Sequence, residues 1–177
     1  DARDRVAAVV GLDPSEVVFT SGGTEADNLA VRGVVRAAGG SPLCSAIEHH
    51  AVLDVVHDAG GGTVAVDAFG HLDLEHLATE LAADPAIRVV SVMLANNEIG
   101  VLQDLKAVAG VVARARPTHP HGLWLHTDAV AAASTFSGSA SSMACALPAF
   151  SPCAASASGN QSKFSMPNGS TSSTPMA

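Results

Sequence analysis

Ile87-Arg88-Val89-Val90-Ser91-Val92-Met93-Leu94, followed at once by Ala95-Asn96-Asn97-Glu98-Ile99-Gly100, is the stretch that decides the fold. Its run of branched apolar residues is too continuous for a strand with one wet face, so it reads as a strand at residues 87–94, buried on both sides in the centre of a sheet. The polar turn formers after it end the strand abruptly. Sheets with such strands are covered by helices on both faces, and helical periods flank this run. Leu74, Leu77 and Leu81 share one helix face over residues 73–81, and Asp104 is placed to cap a helix reaching residue 114.

Further out the alternation continues. Residues 63–66 and 43–47 read as strands, with a short helix over 51–57, and residues 123–125 form the last strand. Residues 17–20, Val-Val-Phe-Thr, read as a buried strand that enters the turn Ser21-Gly22-Gly23. A helix then covers residues 24–38, with Leu29, Val31, Val34, Val35 and Ala38 on its apolar side and Gly39-Gly40 as its stop. The expectation is an α/β domain around a mostly parallel sheet, with no internal repeat.

Composition changes near residue 133. Before it lie five serines; after it, thirteen of 44 residues are serine, and Lys163 is the only charge beyond Asp128. The domain is therefore placed at 1–133. The Ser/Ala/Pro-rich stretch 134–177 has no sustained period and is expected to be irregular, as a shifted reading frame or alternative message end would produce. The chain opens Asp1-Ala2-Arg3-Asp4-Arg5 without Met, so its start is expected to lie inside a longer protein. Charged residues also stand there in place of the apolar core of a signal peptide. The longest strongly apolar run, 89–95, is too short to span a bilayer, so neither membrane insertion nor export is expected. A net charge of −8 argues against a nucleic-acid surface. Three cysteines, Cys44, Cys145 and Cys153, with no CxxC pair, fit reduced thiols in a cytoplasmic protein.

Four polar clusters each follow a predicted strand. Ser21-Gly22-Gly23-Thr24-Glu25-Ala26-Asp27-Asn28 joins strand to helix, where glycine allows close approach and helix N–H groups favour an anion. It is neither a Walker loop nor a GxGxxG fingerprint, and such turns are often only turns. In Glu48-His49-His50-Ala51-Val52-Leu53-Asp54, a histidine could stack on a ring or move protons; the bland alternative is a solvated helix start. Asn96-Asn97 could bond a ligand or simply turn the chain. Asp128, in His126-Thr127-Asp128-Ala129, could hold a protonated ring nitrogen or cap a helix. Because ligands of open parallel sheets bind at the carboxyl ends of strands, the four clusters are expected to converge on one crevice.

At this point the segments FTSGGTEADNLAVRG, EHHAVLD, MLANNEIGVLQD and LHTDAV, in this order across residues 1–130, resemble those of cysteine desulfurases and selenocysteine lyases of the class V aminotransferase group. The resemblance implies part of a fold type I large domain and pyridoxal 5′-phosphate (PLP) as cofactor. It implies that Gly23 and Thr24 bind the PLP phosphate. It also implies that His49 stacks on the ring and assists proton transfer, that Asn97 contacts the ring hydroxyl side, and that Asp128 pairs with the pyridinium nitrogen. The implied reaction converts L-cysteine, or a cysteine-like amino acid, to L-alanine and an enzyme persulfide for sulfur transfer such as iron–sulfur cluster assembly. A sulfur-acceptor protein and a second copy of the full-length chain are the implied partners.

The departures are as informative. Ala131 stands where the family usually has glutamine, and the stretch 151–159, where a Ser-x-His-Lys motif would supply the Schiff-base lysine, holds no lysine. Lys163 follows Asn160-Gln161-Ser162 without a histidine, Lys106 reads as a solvated helix charge, and Cys145 and Cys153 match no family motif. The chain as written is thus expected to be inactive in sulfide release. Two readings from other classes compete: a non-catalytic fragment pairing through an exposed sheet edge, and a metal binder built on His119, His121, His126 and Asp128. HExxH and Cys/His spacings are absent, so no metal site is expected.

Overall fold

The computed structural model describes residues 1–133; the expected irregular stretch 134–177 lies outside the described residues. Helix α1 (Ala2–Val10) is capped by Asp1 and ends at Gly11. It leads through a short 3-10 turn to α2 (Gly23–Ala38) and then β1 (Ser41–Ser45), α3 (His50–Asp58) and β2 (Gly62–Val64). Next come α4 (Leu74–Ala83), β3 (Ile87–Ser91), the two-residue strands β4 (Ala95–Asn96) and β5 (Val101–Leu102), α5 (Leu105–Ala115), β6 (Trp124–His126) and the single turn α6 (Val130–Ala133).

Four strands make one parallel sheet in the order β2-β1-β3-β6. The pleat sends alternate side chains to opposite faces. Leu43 and Val90 join Leu77, Leu81, Val108 and Val112 beneath α4 and α5. Cys44 and Val89 join Val31, Val52, Val55 and Val56 beneath α2 and α3. The sheet is therefore the middle of three layers, and β3 is buried along its whole length as its sequence requires. Asp73 and Asp104 cap α4 and α5 through backbone N–H groups of their first turns, Asp104 as its position predicts.

Three sequence expectations change. Residues 17–20 are not a strand: Val17 is buried, but Val18 and Phe19 are 65% and 56% exposed. Their apolarity suits a strand, but a strand needs a neighbour, and among the described residues none runs beside them. Arg3 secures the segment instead, donating from Nη1 to the Val17 carbonyl (2.6 Å) and lying over the Phe19 ring. Secondly, Leu29 is 54% exposed, off the buried side of α2. That stripe runs through Asp27, Val31, Val34 and Val35, so an acidic residue occupies a core position that a hydrophobic count passes over. Thirdly, β3 leaves the regular ladder at Ser91. Residues 92–94 continue alongside β6 through Val92 N–H to the His126 carbonyl and Leu94 N–H to the Asp128 carbonyl, both 3.0 Å. The Met93 N–H between them turns away, to Glu48.

Candidate functional site

The carboxyl ends of β1, β3 and β6 open towards the start of α2, and a cavity of about 430 Å3 lies there. Gly23, Thr24, His49, Asn97 and Asp128, the five residues singled out in the sequence, all line it, together with Asp27, Ala51, Met93, Val130 and Ala131. No lysine or arginine lines the cavity among the described residues. Lys106 lies on α5 beside a separate groove between α4 and α5.

Each wall has a local cause. Gly22 is the N-cap of α2, and no side chain caps that helix, so its first-turn N–H groups are left for a ligand. The one acidic side chain of that turn, Glu25, is tied back to Ser21, accepting from both its N–H and its hydroxyl at 2.6 Å; these bonds hold the Glu25 carboxyl below its usual range. A Cβ at Gly23 would sit 3.1 Å from Cγ2 of the exposed Val130, a tight contact that a small shift of that side chain would have to relieve. Thr24 is exposed at the mouth.

His49 caps α3, its Nδ1 accepting from the Ala51 N–H at 3.1 Å. That bond requires an unprotonated Nδ1, so in the neutral ring the proton is on Nε2. Asn96 and Asn97 divide the labour that the sequence left undivided. Asn96 is buried, donates from Nδ2 to the Ile47 carbonyl (2.9 Å) and accepts at Oδ1 from Glu98 and Ile99 N–H (2.8 and 3.1 Å). It ties the β4–β5 turn to the segment after β1 and leaves Asn97 exposed on the cavity wall. Asp128 caps the turn that follows it. Its Oδ1 accepts from Val130 N–H (2.9 Å) in a capping turn, and its other oxygen takes no hydrogen bond from the described residues.

Buried titratable groups that sequence spacing missed lie behind this lining. Glu48 is 5% exposed; Oε1 accepts from the Met93 N–H (2.5 Å) and Oε2 has no hydrogen-bond partner. Burial pushes its carboxyl up to about 8, against the Met93 N–H and with Asp128 and Asp27 adding to the rise. Burial, then the charge of Asp128, raises Asp27 to about 6, with His49 opposing. His126 Nδ1 lies 2.8 Å from Ser91 Oγ and its Nε2 3.6 Å from Asp27 Oδ1; burial lowers its proton affinity although Asp128 acts to raise it. A signal for Asp27 was present in the sequence: it lies four residues from both Gly23 and Val31, one turn from each on the same helix face. Among the described residues no group of three or more His, Cys, Asp or Glu side chains is placed to hold a metal, and His119 Nδ1 is 2.9 Å from the Ala115 carbonyl. No helix among them is long and apolar enough to cross a membrane.

Chemically, the lining brings together N–H and hydroxyl donors, carboxylates and an imidazole, groups that suit a ligand carrying both an anionic and a cationic part. The family model described as aminotransferase class-V matches residues 1–152. The chain belongs to this family of PLP-dependent enzymes. The cysteine desulfurase IscS of Methylococcus capsulatus is 39% identical over 140 residues, which are 75% of this chain and 33% of that protein. The chain thus spans about a third of the length of the curated relatives it matches. Among solved structures, a NifS-like protein from Rickettsia africae is similar, with TM-score 0.68 and 28% identity over 80% of this chain and 39% of that one. So is SspA in complex with cysteine, with TM-score 0.59 and 28% identity over 72% of this chain and 37% of that one.

Proposed function

We propose that this chain provides the phosphate- and ring-binding part of a PLP site in a cysteine desulfurase-type enzyme, whose substrate is cysteine or a cysteine-like amino acid. The observation that carries the reading is the convergence of Gly23, Thr24, His49, Asn97 and Asp128 on one cavity of suitable size. The cysteine held by the similar SspA supports the substrate class. Bound PLP supplies an electron sink for the α-carbon of an amino acid.

The chain's own residues do the following. The uncapped first turn of α2, with Gly23 and the Thr24 hydroxyl, binds the phosphate. Asp128 accepts from the ring nitrogen through the carboxylate oxygen that Val130 leaves free. His49 covers the ring and holds or moves a proton at Nε2, because Nδ1 is committed to Ala51. Asn97, steadied by Asn96, reaches the ring hydroxyl side. A cytoplasmic location, pairing with a second copy and delivery of sulfur to an acceptor protein, as in iron–sulfur cluster assembly, complete the reading. Neither sulfide release from cysteine nor covalent capture of PLP in the cavity is expected of the 177-residue polypeptide, since Lys106 is exposed on α5 away from the cavity and Lys163 lacks the preceding histidine of the family motif.

Absorbance and fluorescence titration of the purified chain with PLP tests the proposal. Saturable binding, weakened in Thr24→Val and in Asp128→Ala, is expected. Equal affinity in all three proteins overturns it. Sulfide release from cysteine is expected to match that of PLP alone. Faster release, abolished by Asp128→Ala, would overturn the expectation of inactivity while supporting the site.

A further inference from the structure

Asp27 lines the cavity and has no part in the scheme above. It is 4% exposed and stands on the sheet-facing stripe of α2. Its carboxyl takes no hydrogen bond from the described residues; His126 Nε2, at 3.6 Å, is beyond hydrogen-bond length but within ion-pair range. His126 is itself fixed against Ser91 Oγ at 2.8 Å, so α2, β3 and β6 meet at this point through polar atoms alone. The titratable groups that face Asp27 are Glu48 and His49, between β1 and α3, and His126 and Asp128, at the end of β6. The Arg32–Asp58 pair lies further along α2 and is partly solvated. Asp27 and Asp128 therefore border one cavity that no lysine or arginine lines among the described residues. Two carboxylates sharing such a space hold protons more tightly until a cation comes between them. Sequence spacing alone offers no reason for an acid at a core position of α2, and its replacement by an apolar residue would be the stabilising choice.

We propose that Asp27 is a positioning residue which, held against His126, acts with Asp128 as a two-carboxylate receptor for a cationic ring. The inference rests on the PLP reading for the identity of the ring, whereas the coupling of Asp27 to Asp128 is a property of the protein without ligand. Burial and the Asp128 charge already hold the Asp27 carboxyl up to about 6, and a cation bound between the two would bring it down. The tautomer of His126 that suits this role has Nδ1 accepting from the Ser91 hydroxyl and its Nε2 proton on the side of Asp27 Oδ1, 3.6 Å away.

Carbon NMR titration of the Asp27 carboxyl in the full chain, without ligand, provides the first test. A midpoint well above the ordinary carboxylate value, moving down in Asp128→Asn, is expected, together with nitrogen shifts of His126 that put its proton on Nε2. An ordinary midpoint, or one that Asp128→Asn leaves in place, overturns the proposal. The second test compares PLP with an analogue carrying carbon in place of the ring nitrogen. Asp27→Asn should weaken PLP about fivefold at alkaline pH and leave the analogue unchanged, and should remove the inflection of PLP affinity near the Asp27 midpoint. Equal weakening of both ligands overturns the proposal, because a merely structural role would affect them alike. Absence of PLP binding in the unsubstituted chain refutes the function proposed above, and the ligand-free titration still decides the coupling of Asp27.

Discussion

The two faces of the sheet are built from the same strands and do different work. Val90 of β3 and Val92 just after it point towards α4 and α5, where fourteen buried apolar residues cluster and the buried Gln103 bonds Leu72 N–H and the Gly70 carbonyl at the edge. β3 sends Val89 and Ser91 towards α2 and α3, where six buried residues form the core and Asp27, Ser91 and the partly buried His126 interrupt it. Apolar burial at roughly 25 cal/mol per Å2 makes the first face the main source of stability. The second gives up part of that gain to bury groups whose proton affinities are displaced from their usual values. The difference teaches that the site is carved into the weaker layer, and that its polar groups are retained against the interest of the fold.

The sharpest way to break this comparison is core truncation. Leu77, fully buried under the α4–α5 face, should cost about 2–5 kcal/mol as Leu77→Ala; Asp27→Leu on the opposite face, which removes a buried carboxyl that takes no hydrogen bond from the described residues, should cost less. Urea unfolding of the two variants measures both, and an equal loss would erase the distinction between the faces. Asn96→Ala comes next, removing three hydrogen bonds from a buried side chain. A loss of about 2 kcal/mol is expected, with faster amide exchange at Glu98 and Ile99. Unchanged exchange there would show that Asn96 does not hold the Asn97 turn.

A pH series sharpens the comparison further. Glu48 is raised in the folded state from 4.5 to about 8, and Asp27 from 3.8 to about 6. Each therefore contributes stability that is fully present below its unfolded value and is lost as pH rises through its folded one. His126, lowered by burial, acts in the opposite sense at its own, lower window. Glu48→Gln keeps an acceptor for Met93 and should remove the part of the decline that lies between pH 6 and 8. An identical decline in the variant would assign it to other groups.

Smaller effects separate His49 as a cap from His49 as a ring. His49→Ala should lose about 1 kcal/mol of stability, whereas His49→Asn restores an acceptor for the Ala51 N–H, and with it most of that loss, without restoring PLP binding. Recovery of both would mean that the imidazole serves only the helix. Cys44 gives the smallest signal. It is fully buried, and burial with the nearby Glu48 pushes its thiol up to about 12. Pulse alkylation at mildly alkaline pH followed by peptide mapping should leave it unmodified in the folded chain, and labelling at the rate of denatured protein would contradict its place in the core.

Much of this architecture was readable from residue order. The apolar run at 87–94 and the leucine spacing in α4 announce a central strand and a helix against it because local periodicity and burial agree there. His49, Asn97 and Asp128 share one cavity because each stands just past a strand, and open parallel sheets gather such positions at one edge, whereas Gly23 and Thr24 reach it from the start of α2 without a strand before them. Val17-Val18-Phe19-Thr20 misled for a related reason. Apolarity announces burial or pairing, but whether a neighbouring strand exists is a property of the whole sheet. Leu29 and Asp27 exchanged places for the same cause: the 3.6-residue period defines a stripe, and only packing against β3 and α3 decides its phase.

The amino-acid order by itself determined the alternation of strands and helices, the family, and the positions from which a ligand could be reached. Those depend on side-chain type and short spacings, which act along the chain. Only the tertiary structure decided that Asp27, Glu48 and His126 come close to Asp128, that Asn96 rather than Asn97 is the buried anchor, and that the larger apolar cluster lies on one face of the sheet while Asp27 and His126 lie on the other. These depend on groups tens of residues apart meeting where water is excluded, and the proton affinity of a carboxyl is set by that meeting rather than by its neighbours in sequence.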